Sequence, residues 1–146
     1  MMEIRKMKKE DILQLAELEK LCFSDPWSVS AFEYELKNPL SLWLVAAEGA
    51  TVAGYIGSQT VMGETDMMNV AVAPAFRRKG IGERLILSLI DQLKDQQSHC
   101  LTLEVRISND TAIALYQKLG FIQVGCRPGY YRNPREDALI LRKEWS

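Results

Sequence analysis

The stretch Met68–Leu85, MNVAVAPAFRRKGIGERL, constrains the fold more than any other part of the chain. Val70 and Val72 alternate with small residues, the pattern of a well-packed strand. Pro74 cannot donate to a sheet, so the strand is expected to end there. Arg77, Arg78 and Lys79 follow, then Gly80 and Gly82. An amphipathic helix is next, from about Ile81 to Gln96, with Leu85, Leu89, Leu93, Ile86 and Ile90 on one face. Strand, basic glycine loop and helix start together aim backbone N–H groups outward beside positive charge. That is an anion site, and a diphosphate suits it. A Walker-type phosphate loop is excluded, because no Gly-Lys-Ser/Thr follows four residues after a first glycine. The dinucleotide fingerprint is excluded as well, because Gly80-x-Gly82 lacks the third glycine. What remains is Arg77-x-x-Gly80-x-Gly82, whose other reading is a solvated basic turn with glycines for tight bends.

A chain of 146 residues is expected to form a single domain, 1–146, with a sizeable core. The net charge of -1 argues against general binding to nucleic acid or anionic membranes. No apolar run approaches the roughly 20 residues of a membrane span, and Met1–Arg5 carries no apolar signal region. Cys22, Cys100 and Cys126 are widely spaced, without a Cys-x-x-Cys pair. They read as reduced, mostly buried thiols of a cytoplasmic protein. His99, the only histidine, follows a polar helix end, so no metal site is expected.

Met2–Lys8 reads as a short strand. Glu10-Asp11 offers an N-cap to a helix carrying Ile12, Leu15, Leu18, Leu21 and Cys22. Ser24–Ser28 breaks it, and Ser28 caps a second helix, Val29–Lys37, with Phe32 and Leu36 on one face. Leu42–Ala47, Val52–Val61 and Thr65–Ala73 form an antiparallel meander. After the long helix come a strand, Leu101–Arg106, the cap cluster Ser108-Asn109-Asp110, and a helix, Thr111–Leu119, closed by Gly120. Phe121–Arg127 is a strand, Pro128–Arg135 a loop and Asp137–Arg142 the last strand. The order β-αα-βββ-α-β-α-ββ predicts an α/β domain, a mixed sheet with helices on both faces.

Arg77-x-x-Gly80-x-Gly82 resembles the acetyl-CoA loop of the GCN5-related N-acetyltransferases (GNAT), whose pattern is Gln/Arg-x-x-Gly-x-Gly/Ala. Leu103–Phe121 is similar to the same family's strand, helix-capping Asn and Ala-x-x-Leu-Tyr-x-x-x-Gly-Phe. Gly129-Tyr130-Tyr131, Arg135-Glu136-Asp137-Ala138 and Pro26-Trp27-Ser28 resemble the branch that acetylates the N-terminal alanine of small-subunit ribosomal protein number eighteen. The likeness runs essentially the whole chain. It implies the GNAT fold, a mostly antiparallel mixed sheet splayed between its fourth and fifth strands. It implies acetyl-CoA as co-substrate without a metal and a protein N-terminus as partner; the oligomeric state stays open, with a monomer favoured.

By this resemblance acetyl-CoA fills the wedge between Asn69–Val72 and Thr102–Arg106. Its pantetheine pairs with the backbone of Val70, Ala71 and Val72 as an added strand would. Its pyrophosphate sits on the amides of Arg78, Lys79, Gly80, Ile81 and Gly82, with Arg77 beside them, and Asn109 also contacts it. The N–H near Val72 polarises the thioester carbonyl.

An α-amine of pKa near 8 is only about a tenth unprotonated at pH 7, so a modest base is useful. The resemblance assigns that role to Glu104, directly or through water. Read from the strand alone, Glu104 pairs with Arg106 on the same face. The resemblance makes Tyr116 the acid for the leaving thiolate. Read from the helix alone, it is a core aromatic beside Ile113 and Leu119. Trp27 on one side and Tyr130 and Tyr131 on the other frame the amine entrance, or else serve turn packing. Glu136 and Asp137 attract a basic peptide on grounds of charge. Two other functions stay open, acetylation of a small-molecule amine and a non-catalytic acetyl-CoA-binding module. Arg77-Arg78-Lys79 is too short a basic run to favour nucleic acid.

Overall fold

The computed structural model describes residues 1–145. Its elements are β1 (Glu3–Lys6), α1 (Ile12–Cys22), α2 (Val29–Lys37), β2 (Ser41–Glu48), β3 (Thr51–Val61), β4 (Glu64–Val72), α3 (Ile81–Asp95), β5 (Cys100–Arg106), α4 (Asp110–Lys118), β6 (Ile122–Tyr131) and β7 (Glu136–Glu144). They follow the order expected from the sequence. One sheet runs β1-β2-β3-β4-β5-β7-β6, and among the described residues its only parallel pair is β4–β5.

Both faces of that sheet are covered, which is why β2 reads as a continuous apolar run. Leu42, Leu44 and Ala46 point to a core built with α3 and α4, and Trp43 and Val45 to a second core built with α1 and α2. On α3 the five expected apolar residues are all buried. On the two N-terminal helices Ile12, Leu15, Leu18 and Phe32 are buried as expected, but the edges of the stripe are shifted. Leu21 is 69% exposed and Leu36 is 37% exposed, while Glu19 and Glu35 turn inward. The inward acids have partners. Glu35 Oε1 accepts from Ser41 Oγ at 2.7 Å and from Trp43 Nε1 at 3.1 Å.

Local chemistry sets the element ends. Ser28 Oγ accepts from the Ala31 N–H at 3.1 Å, and Asn109 Oδ1 accepts from the Ala112 N–H at 3.2 Å. Asp11 does not cap α1 through its side chain. Its carboxylate accepts from the Arg5 guanidinium at 2.8 and 2.9 Å and from the Lys8 N–H at 2.7 Å. Burial pushes the Asp11 carboxyl upward, but these donors outweigh it and hold the group below its usual range.

The last hairpin departs from expectation. Residues Pro128–Tyr131 belong to β6, and only 132–135 form the turn. A proline and a glycine are tolerated there because β6 is the sheet edge, where a missing donor breaks no ladder. The same edge explains Cys126, which is exposed rather than buried; Cys22 is half-buried and Cys100 buried.

The fold creates one opening. Parallel pairing joins β4 and β5 only at Glu64–Cys100, Thr65–Leu101 and Asp66–Thr102. Just beyond, the β3–β4 register slips from Ser58–Met67 to Gly57–Asn69, leaving Met68 as the extra residue of a bulge. The bulge bends β4 away from β5, and the strands diverge.

Candidate active site

A cleft of about 1180 Å³ fills the space between the diverging ends of β4 and β5. Residues 22–27 close one side and the β6–β7 hairpin closes the other. Val70, Ala71, Val72, Arg77, Gly82, Glu104, Asn109, Tyr116, Trp27, Tyr130 and Tyr131 all line it, so the structure gathers most of the residues singled out in the sequence. Arg78, Lys79 and Gly80 stand at its rim, exposed, at the start of α3. Ile81 turns its side chain into the core.

Strand β4 forms one wall. The Ala73 N–H donates to the Ala53 carbonyl at 2.7 Å, so residues of that parity commit their backbone to β3. Val70 and Val72 therefore direct theirs toward the cleft. The wall leads to α3, whose first turn has no side-chain cap. Gly80 precedes it in the left-handed region at φ 74°. The Ile81, Gly82 and Glu83 amides thus lack helical acceptors. Glu83, the one acid there, is neutralised by Lys118 on α4 at 2.9 Å. A Cβ built on Gly82 would meet only Val72 Cγ2, at 3.8 Å, so nothing but the missing side chain lets a ligand reach the backbone. Uncapped amides, unopposed positive charge and open backbone together fit a diphosphate.

Strand β5 and α4 form the opposite wall. Glu104 projects from β5, and its Oε2 lies 3.3 Å from Arg127 Nε on β6. The Glu104–Arg106 pair read from the strand does not form. Arg106 bonds Glu136 at 3.1 Å and the carbonyls of Arg132 and Pro134 at 3.0 Å, with its guanidinium 4.4 Å from the Tyr131 ring centre. Twist and the hairpin partner, rather than the shared face, decide the pairing.

Tyr116 is a core aromatic that also lines the cleft. Its ring is 5% exposed and packs edge-on against Phe121, with ring centres 5.4 Å apart. Among the described residues its hydroxyl takes no hydrogen-bond partner, and no fully buried side-chain polar atom is left unsatisfied. The hydroxyl therefore opens into the cleft. Burial, and secondarily Tyr131, push its pKa above the ordinary value.

At the entrance, Tyr130 and Tyr131 meet edge-on at 5.0 Å, and burial drives Tyr131 up to about 12. Trp27 packs against Phe32 at 5.5 Å and Trp43 at 5.3 Å, as turn packing requires, and also lines the cleft. Glu136 and Asp137 are both engaged by donors within the chain. Glu136 bonds Arg106 and the Ser108 N–H at 2.7 Å, and Asp137 accepts from the Gly129 N–H at 2.8 Å. Both stiffen the hairpin.

The sequence reading passed over Glu19. It is fully buried beneath the cleft, and Trp27, Asn69 and Tyr55 all donate to it. Burial raises its pKa, while the Trp27 N–H and the Tyr55 hydroxyl pull it down. A signal existed, because Leu15, Leu18, Glu19 and Cys22 share a helical stripe, which puts a charge on an apolar face. Among the described residues no group of three His, Cys, Asp or Glu side chains could hold a metal, and no helix is long and apolar enough to cross a membrane.

The sequence model of the acetyltransferase (GNAT) family matches residues 12–121. A putative ribosomal protein bS18-alanine N-acetyltransferase from Bacillus subtilis is 38% identical over 139 residues, covering 94% of this chain and 92% of the relative. The N-alpha-acetyltransferase RimI of Mycobacterium tuberculosis is 37% identical over 142 residues, with 93% and 88% covered. The crystal structure of the ribosomal-protein-S18-alanine N-acetyltransferase from Escherichia coli superimposes with a TM-score of 0.92 at 33% identity. That match covers 100% of this chain and 95% of the other.

Proposed function

Because this chain belongs to the acetyltransferase (GNAT) family, we propose that it acetylates the N-terminal α-amine of a protein, most specifically the N-terminal alanine of small-subunit ribosomal protein eighteen. The observation that carries this reading is the convergence of Glu104 and the free Tyr116 hydroxyl on a wedge whose other wall presents the Val70 and Val72 backbone. Residues 1–146 act as one catalytic domain in this account, and acetyl-CoA is the acyl donor.

Acetyl-CoA supplies a thioester that a neutral amine attacks directly. Val70 and Val72 hold its extended arm as a strand would, and Ala71 between them, its backbone committed to β3, does not pair with it, contrary to the sequence reading. Arg77, Arg78 and Lys79 and the amides through Gly82 hold its diphosphate. Asn109 closes the site at the start of α4. Trp27, Tyr130 and Tyr131 admit a small first residue and exclude bulk. Glu104 takes the proton from the attacking nitrogen, directly or through one water. The Val72 N–H steadies the negative charge that grows on the carbonyl oxygen as the C–N bond forms. When the C–S bond breaks, Tyr116 gives its proton to the departing sulfur. Protons and charge balance, and the products are an acetylated N-terminus and free CoA.

Steady-state release of CoA thiol with an alanine-first peptide tests these roles. Glu104→Gln and Tyr116→Phe are each expected to lower kcat by ~10²-fold or more with little change in acetyl-CoA affinity. Variants as fast as the parent would remove both residues from the chemistry. Fast turnover of small amines beside an untouched peptide would redirect the activity to a small-molecule substrate.

A further inference from the structure

Glu19 takes no part in the chemistry above, although its carboxylate is fully buried. It stands on α1, and three donors from three other segments converge on it. Its Oε1 accepts from the Trp27 backbone N–H at 2.9 Å. Its Oε2 accepts from Asn69 Nδ2 at 2.6 Å and also from the Tyr55 hydroxyl. Trp27 belongs to the 22–27 segment that closes one side of the cleft, and Asn69 to the β4 bulge that forms the adjoining wall. Tyr55 belongs to the core below.

The chain of bonds continues past Glu19. A carboxylate only accepts, so it fixes Asn69 with Nδ2 inward and leaves Oδ1 to accept. Asn69 Oδ1 accepts from the Val70 N–H at 3.0 Å. Val70 is one of the two residues whose backbone faces the cleft. One buried charge thus reaches a backbone donor of the thioester wall through Asn69 and the entrance loop through Trp27.

We infer that Glu19 is a positioning residue for acetyl transfer, locking the amine-entrance loop and the β4 wall into one geometry through the Trp27 N–H and the Asn69 amide. The inference rests on the reading of this cleft as an acetyltransferase site. Its logic is directional, because every partner of Glu19 donates. In Glu19→Gln the new amide brings a donor against donors, and either Trp27 or Asn69 loses its partner. In Asn69→Asp two carboxylates face each other. The double variant restores polarity. Its introduced amide donates to its introduced carboxylate, whose second oxygen still accepts from Val70.

The experiment uses the full chain at a temperature where melting curves show each variant folded. Acetyl-CoA affinity is measured by calorimetry, and kcat/KM with an alanine-first peptide. Glu19→Gln and Asn69→Asp should each lower kcat/KM about tenfold or more and weaken acetyl-CoA binding about threefold or more, the scale of a lost charge-assisted hydrogen bond. The double variant should return to within about threefold of the parent. Tyr55→Phe removes the third donor but leaves the relay, so it should lower Tm and keep kcat/KM within about twofold. A merely structural role would move Tm in all of these and leave the kinetics of the folded protein alone. Full activity in Glu19→Gln, no recovery in the double variant, or an equal loss in Tyr55→Phe would overturn the inference. If Glu19→Gln does not fold, the double variant decides: folded and active supports the relay, and unfolded or inactive overturns it. A parent that leaves the peptide untouched while acetyl-CoA affinity follows the expected pattern would refute the acetylation reading and uphold the relay. A parent that binds no acetyl-CoA would overturn both.

Discussion

Glu104 and Tyr116 reach the cleft from different elements and in different states. Glu104 faces a guanidinium on the neighbouring hairpin, whereas the Tyr116 hydroxyl faces only the cleft. The phenol's raised pKa has a kinetic consequence. An ordinary tyrosine begins to ionise as pH nears 10. Burial delays that step here, so Tyr116 remains a proton donor throughout the alkaline range an assay uses. With saturating peptide, kcat should therefore show no fall between about pH 8 and about pH 10 that disappears in Tyr116→Phe. Such a Tyr116-dependent fall would contradict the assignment. That both residues line the cleft was legible because each sits in a local motif. Glu19 and Arg127 were not, because their roles depend on contacts across 50 and 23 residues of chain, with Asn69 and Glu104 respectively. No local pattern encodes such pairings.

Helix α4 joins local capping to the site. Asn109 satisfies the Ala112 N–H and also lines the cleft. The two roles separate by substitution. Asn109→Ala should cost about 1 kcal/mol of stability, seen as a lower Tm, because the cap is lost. Asn109→Ser should keep most of that stability, since serine also caps. Both should weaken acetyl-CoA binding in calorimetry, because neither reaches as far into the cleft. If Asn109→Ser binds as tightly as the parent, the residue is a cap and nothing more. At this scale the sequence was most readable where one signal dominated, as with the Ser28 and Asn109 caps and the periodicity of α3. It was least readable at the β6–β7 hairpin. Pro128 and Gly129 read as loop formers, yet an edge strand accepts both. The strand continuing through them carries Tyr130 and Tyr131 to the entrance.

Across the whole molecule, one sheet serves two cores, and β2 and β3 belong to both. At Gly57 β3 leaves no room for a side chain against β2. A Cβ there would lie 2.2 Å from the Trp43 ring, and that ring is tied to Glu35 by its indole N–H at 3.1 Å. The ring cannot swing away without losing a buried bond. Gly57→Ala should therefore destabilise the domain by about 1–3 kcal/mol or more, lowering Tm by several degrees; an unchanged Tm would show that β2 and β3 shift freely. The element order, the β2–β3–β4 meander and the two covered faces followed from hydrophobic patterning and turn signals, whereas the splay came only with the family resemblance. The width of the wedge followed from neither. It depends on three parallel pairings followed by a bulge at Met68, and a register slip leaves no mark in residue types alone. The wedge is also where the central claim is decided. The most direct measurement is mass spectrometry of an alanine-first peptide incubated with the enzyme and acetyl-CoA, beside the same peptide with its N-terminus blocked. The expected result is one acetyl group on the α-nitrogen of the free peptide and none on the blocked one. An acetyl group on the blocked peptide, or an unmodified free peptide, would contradict it.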